Sequence, residues 1–130
     1  MELYEYTGKN PKELSGVVLA FIGDAVFEIM VRTHVMSNHH AGVSVLHKHS
    51  RSMVNASAQA AFFERISHFL TEDEMAIFKR GRNTNSHVPK NGNMHDYRIA
   101  TGLEALFGYL YLKNETTRLN ELFLSGLNEE

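Results

Sequence analysis

Two carboxylates stand where carboxylates are rare. Asp24 sits in FIGDAVFEIM and Glu104 in TGLEALFGYLYL, each within an otherwise apolar stretch. A carboxylate in such a setting is costly unless a cation or hydrogen-bond donors compensate it. Small residues flank both: Ala20 and Gly23 near the first, Gly102, Ala105 and Gly108 near the second. Small residues let two helix backbones approach closely. If these stretches pack together, Asp24 and Glu104 face each other across a narrow gap, and such a pair suits a hard divalent cation such as Mg²⁺, bound through oxygen. A salt bridge or backbone N–H donors would also account for either residue alone.

Other chemistry finds less support. With no cysteine, thiolate nucleophiles, disulfides and cysteine-based zinc sites are excluded. None of the eight histidines lies in an HExxH arrangement; His39 and His40 read as a turn, and His47 and His49 point in different directions on a helix. Glu28, one turn after Asp24, reads as an i,i+4 ion pair with Arg32 that can also stand near a cation.

The net charge of −2 and pI near 6.4 argue against a general polyanion binder. The distribution is uneven, however. The segment 79–98 holds Lys79, Arg80, Arg82, Lys90 and Arg98 against Asp96 alone, a local balance of +4 that leaves −6 for the remainder. With Asn83 and its neighbouring amides, and with His87 and His95, this segment is either a surface for duplex phosphates and 2′-hydroxyls or a solvated loop. Phe62, Phe63, Phe69 and Phe78 read as core.

The elements that position these residues are all helical. Asn10-Pro11-Lys12-Glu13 is a helix start, with a break or restart at Ser15-Gly16. Apolar residues then recur at three and four to about Met36. A turn follows at 38–42, then a short helix over 43–49 and a longer one over 52–69, rich in alanine. Thr71 to Glu74 forms a capping box for a helix ending near Gly81. A polar loop over 83–95 leads into helices over 97–112 and 117–127. The expectation is a single all-α domain spanning 1–130. At 43% apolar and 22% charged, the chain is globular in composition. The polar N-terminus is no signal peptide, and the apolar tract 16–31 is too short and too charged to span a bilayer. A soluble, cytoplasmic protein is expected, in line with the absence of cysteine.

LAFIGDAVFE resembles the LEFLGDxxL stretch of the ribonuclease III family, and ATGLEALFGYLYL resembles that family's second acidic stretch. KRGRN before the second stretch, with no double-stranded-RNA-binding domain, resembles the Mini-ribonuclease III branch. The resemblance covers about 14–112. It implies that Asp24 and Glu104 are catalytic and hold Mg²⁺, with Mn²⁺ as a substitute, and that Phe21 is the aromatic entering the partner subunit of a homodimer. It implies hydrolysis of double-stranded RNA to 5′-phosphate and 3′-hydroxyl ends, with large-subunit (23S) ribosomal RNA precursor as the substrate and a ribosomal protein as a further partner that presents it. Ala20 and Thr101 stand where full-length ribonuclease III carries acids, as in the Mini branch, so the number of metal ions is left open. Two rivals remain: a catalytically inactive module of this family, and a helical interaction protein. Neither gives a reason for the two carboxylates.

Overall fold

The computed structural model describes residues 4–84 and 93–127. All the regular structure among them is helical: α1 (Gly16–Asn38), α2 (Val43–Val54), α3 (Ala56–Ile66), α4 (Glu72–Arg82), α5 (Met94–Leu112) and α6 (Thr116–Gly126), with 3-10 turns at Pro11–Glu13 and Ser67–Phe69. The all-α expectation holds. None of these helices is long and apolar enough to cross a membrane.

Local chemistry sets the boundaries. Asn10 accepts a hydrogen bond from the Lys12 amide, Pro11 opens the first turn, and Ser15 restarts the chain as N-cap of α1. At α4 the capping box forms in full: the Thr71 side chain accepts from the Glu74 amide, and the Glu74 side chain accepts from the Thr71 amide.

Two boundaries depart from the sequence reading. The break between the second and third helices falls at Asn55, not near residue 50. One asparagine caps both helices there: its Oδ1 accepts from the Ala58 amide at 2.8 Å and its Nδ2 donates to the Arg51 carbonyl at 3.0 Å. The central helix α5 begins at Met94, three residues early, because Asn93 accepts from the Asp96 amide at 3.2 Å.

Helix α5 is the axis, and α1, α3, α4 and α6 all pack on it. Four phenylalanines from four helices lock the centre edge to face. Phe27 of α1 lies 5.2 Å from Phe62 of α3, 5.3 Å from Phe107 of α5 and 6.1 Å from Phe123 of α6, ring centre to ring centre. Phe63 stacks on Phe78 at 3.7 Å, joining α3 to α4. Of the four phenylalanines read as core, Phe69 departs: it ends the second 3-10 turn and its ring is 53% exposed.

The small residues divide between two crossings. A Cβ on Gly23 would collide with the Glu104 carbonyl and come within 2.8 Å of the Gly108 nitrogen; one on Gly108 would strike the Leu19 carbonyl. Gly23 and Gly108 thus set the close approach of α1 to α5. Gly102 and Ala105 serve a different crossing from the one their sequence position suggested. They face α4, where a Cβ on Gly102 would meet the Phe78 ring at 2.6 Å and one on Gly81 would meet Ala105 at 2.6 Å.

Candidate active site

The α1–α5 crossing brings Asp24 and Glu104 to one open cleft of about 670 Å³, whose lining also includes Phe21, Glu28, Tyr97 and Thr101. The convergence expected from the sequence is met. The burial expected of Asp24 is not: it is exposed, because α1 turns Leu19, Gly23, Val26 and Phe27 inward and leaves Asp24 on the cleft side. Glu104 is partly buried. Its pKa is pushed up to about 7, first by burial and then by the neighbouring Asp24 charge; a hydrogen bond with Asp24 adds to this, while one from Gln59 opposes it. The pair lacks positive charge, and its donor set is all oxygen. A hard divalent cation fits that arrangement, relieving the repulsion that otherwise holds a proton on Glu104. Among the described residues no group of three or more His, Cys, Asp or Glu comes together.

Glu28 meets Arg32 at 3.0 Å, the i,i+4 ion pair expected, and lies at the rim of the same cleft. Thr101 donates its hydroxyl to the Tyr97 carbonyl at 3.0 Å. Phe21 stands 81% exposed beside the carboxylates. The described residues leave this apolar ring uncovered. His39 and His49 stack at 3.8 Å, joining the end of α1 to α2.

The basic residues do not form one patch. Arg82 and Arg98 line a second cavity of about 430 Å³ together with Asn83 and His95. Arg82 donates to Asn83 Oδ1 at 3.0 Å and lies 5.8 Å from the Phe78 ring centre. Arg80 has a different engagement. Its Nη1 donates to the carbonyls of Lys12 and Leu14 at 2.7 and 2.9 Å, tying the N-terminal turn to α4. Lys79 is exposed. Lys90 and His87, with most of the polar loop, lie outside the described residues.

Two residues at the cleft escaped the sequence reading. Tyr97 was visible only as a helix start. Gln59 is 4% exposed, and its Nε2 donates to Glu104 Oε2 at 3.3 Å. A signal for it was present: Gln59, Phe62, Phe63 and Ile66 follow the i, i+3, i+4, i+7 pattern, which places the amide on the buried face of α3.

A family model of the ribonuclease III domain matches residues 17–115 of this chain. The chain belongs to the ribonuclease III family. Among curated relatives it is similar to Mini-ribonuclease 3 of Clostridium tetani, 46% identical over 126 residues, which covers 95% of this chain and 83% of that protein. Mini-ribonuclease 3 of Enterococcus faecalis is 42% identical, covering 88% and 89% respectively. Among solved structures, a crystal structure of a protein from Fusobacterium nucleatum superposes with a TM-score of 0.81 at 29% identity, covering 90% of this chain and 94% of that one. The activity class of a ribonuclease III domain of this kind is endoribonuclease, a phosphodiester hydrolase. The cleft at the α1–α5 crossing lies inside the matched region.

Proposed function

We propose that the chain is a Mg²⁺-dependent endoribonuclease acting on double-stranded RNA, with Asp24 and Glu104 as the metal-holding catalytic pair. The observation that carries this reading is the convergence of the two carboxylates from opposite sides of a glycine-set helix crossing. When bound, Mg²⁺, or Mn²⁺ in its place, supplies an acidified water as nucleophile and charge neutralisation at the phosphate. The chain's own residues do the rest. Asp24 offers an accessible carboxylate, and Glu104 presents a second one fixed by its helix. The cleft keeps both open to a phosphodiester backbone. Among the described residues lining this cleft there is no Ser, Cys or His, and hydrolysis through an activated water needs none.

The same reading assigns Phe21 to a homodimer contact, because an 81% exposed phenylalanine beside the cleft has a reason to exist if a second copy covers it. Two sites in a two-fold dimer cut both strands of one duplex. Lys79, Arg82, Asn83, Arg98 and Lys90 are assigned to RNA phosphates; Arg80 is assigned only in so far as its guanidinium has capacity beyond the two carbonyls it already holds. The family resemblance set out above extends the proposal to precursor of the large-subunit 23S ribosomal RNA as the substrate, in the cytoplasm, with a ribosomal protein as presenting partner.

Cleavage of an end-labelled RNA duplex tests the core of the proposal. The protein should cut with Mg²⁺ and stop with EDTA, and Asp24→Asn should lose at least about a thousandfold in rate, the scale of removing a main source of transition-state stabilisation, while still binding the duplex. Retained cutting by this variant rejects the site. Binding without cutting by the unmutated protein favours an inactive module. In sedimentation, Phe21→Asp should run as a monomer; an intact dimer removes Phe21 from the interface.

A further inference from the structure

The most buried polar side chain near the cleft belongs to a helix that carries no acid into it. Gln59 lies on α3 at 4% exposure, among Ala60, Phe62, Phe63 and Ile66, all of which face the core. Burying an amide there is costly without partners. The hydrogen bond its side chain makes among the described residues goes to Glu104, Nε2 to Oε2 at 3.3 Å. The contact runs from the amide nitrogen, which only donates, to a carboxylate oxygen that accepts it. α3 packs directly on α5, so the donor is held by backbone on both sides. A residue needed only to fill this space would be apolar, like its neighbours on the same face.

We infer that Gln59 is a positioning residue for the reaction: its amide fixes one oxygen of Glu104, and with it the plane of the carboxylate, so that the remaining lone pairs meet the cation in the cleft. This rests on the reading of Asp24 and Glu104 as metal ligands. Groups that orient a metal ligand without touching the metal commonly change metal affinity or activity by about 10–100-fold when removed.

The test uses Gln59→Met, which keeps length and volume and removes the donor. Mn²⁺ binding to the RNA-free protein is read from the loss of the free-ion electron paramagnetic resonance signal, alongside thermal melting and single-turnover cleavage. The expected result is a melting temperature close to that of the unmutated protein, Mn²⁺ affinity lower by at least about tenfold, a matching rise in the Mg²⁺ concentration for half-maximal cleavage, and unchanged duplex affinity. Wild-type Mn²⁺ affinity and Mg²⁺ dependence in a folded Gln59→Met protein would falsify the inference. Should that variant not fold, the unmutated protein decides: substoichiometric Mn²⁺ should broaden the Gln59 side-chain amide resonances, and amide signals that ignore the ion overturn the inference. Failure of the unmutated protein to bind Mn²⁺ at all is a different outcome, and it removes the metal site itself.

Discussion

Glu74 and Glu104 are the same residue type, each withdrawn from solvent, each within a helix packed on the same core. Their surroundings are opposite. Glu74 receives the Arg118 guanidinium through two bonds of 2.7 Å and the Thr71 amide at 2.9 Å, and Arg118 in turn donates to the Phe69 carbonyl at 2.8 Å. Burial works to raise its pKa, yet the Arg118 and Thr71 bonds together hold it below the ordinary 4.5. Glu104 receives one amide and faces another acid, and its pKa climbs to about 7. A buried carboxylate with its own cation is finished chemistry: it clamps α4 to α6 and has nothing left to bind. One whose nearest charge is another carboxylate is electrostatically incomplete, and the missing charge is the shape of its ligand. What separates the two acids is the partner each faces, a guanidinium for Glu74 and another carboxylate for Glu104.

The largest effect is expected where the complete pair is broken. Arg118→Ala leaves Glu74 buried without its counter-charge, and the loss of one partner of such a pair costs about 3 kcal/mol. Chemical denaturation at neutral pH should show this as a lower midpoint with unchanged slope. Metal dependence of cleavage should not move, since Glu74 has no part in the cleft. A melting curve identical to the unmutated protein would mean that Glu74 is satisfied by Thr71 alone.

The incomplete pair should respond in the opposite direction. In the metal-free protein the folded state holds a proton on Glu104 up to about pH 7, whereas the unfolded chain releases it near 4.5. Folding therefore retains protons over that interval, so this group's contribution to stability falls as pH rises from 4.5 to 7 and levels off above. The full span is at most about 3 kcal/mol, and less where Asp24 and Glu104 titrate together. Glu104→Gln should remove most of this slope and make the metal-free protein more stable at pH 8, while cleavage is lost. Glu74 contributes with the other sign, its stabilisation present above 4.5 and lost as pH falls through its lowered pKa. Saturating Mg²⁺ should lift the unmutated protein at pH 8 and leave Glu104→Gln nearly unchanged. Equal pH slopes for the two proteins without metal would sink the comparison.

Sequence carried the acids and not their partners. Asp24 and Glu104 were legible because a carboxylate breaks an apolar run, and their meeting was legible because Gly23 and Gly108 permit it. The Glu74 capping box was legible too, being a local pattern of four residues. Arg118 was not, since its pairing with Glu74 joins residues 44 apart and depends on how α6 lies across α4. Nor was Gln59, whose value comes from an acceptor on another helix. Asn55 shows a third limit: its two capping bonds end one helix and start the next without a Gly or Pro to mark the place. Likewise the run Lys79, Arg80, Arg82 reads as uniform positive charge, though one member is held by the backbone carbonyls of Lys12 and Leu14.

That last distinction yields the smallest and most specific expectation, because it repeats the Glu74–Glu104 contrast among cations. Arg80 is committed to Lys12 and Leu14, whereas Arg82 and Arg98 open on a cavity they share with Asn83 and His95. A chain of net charge −2 gains phosphate affinity from the placement of its cations, not from their excess. Removing one cation from a phosphate lowers the slope of log affinity against log salt by somewhat less than about one. Arg82→Ala with Arg98→Ala should therefore flatten that slope by between about one and two and weaken duplex binding most at low salt. The cleavage position should stay, because phosphate-directed bonds carry little sequence information. Arg80→Ala supplies the contrast: it should lower thermal stability by loosening the N-terminal turn from α4, with a smaller change in slope. Titrations of a catalytically silent Asp24→Asn background at several salt concentrations keep cleavage out of the measurement. If Arg80→Ala flattens the slope as much as the double substitution, the Arg80 guanidinium is not committed in solution, and the division of the cations into structural and RNA-facing groups fails. If neither changes the slope, the duplex is held elsewhere on the molecule.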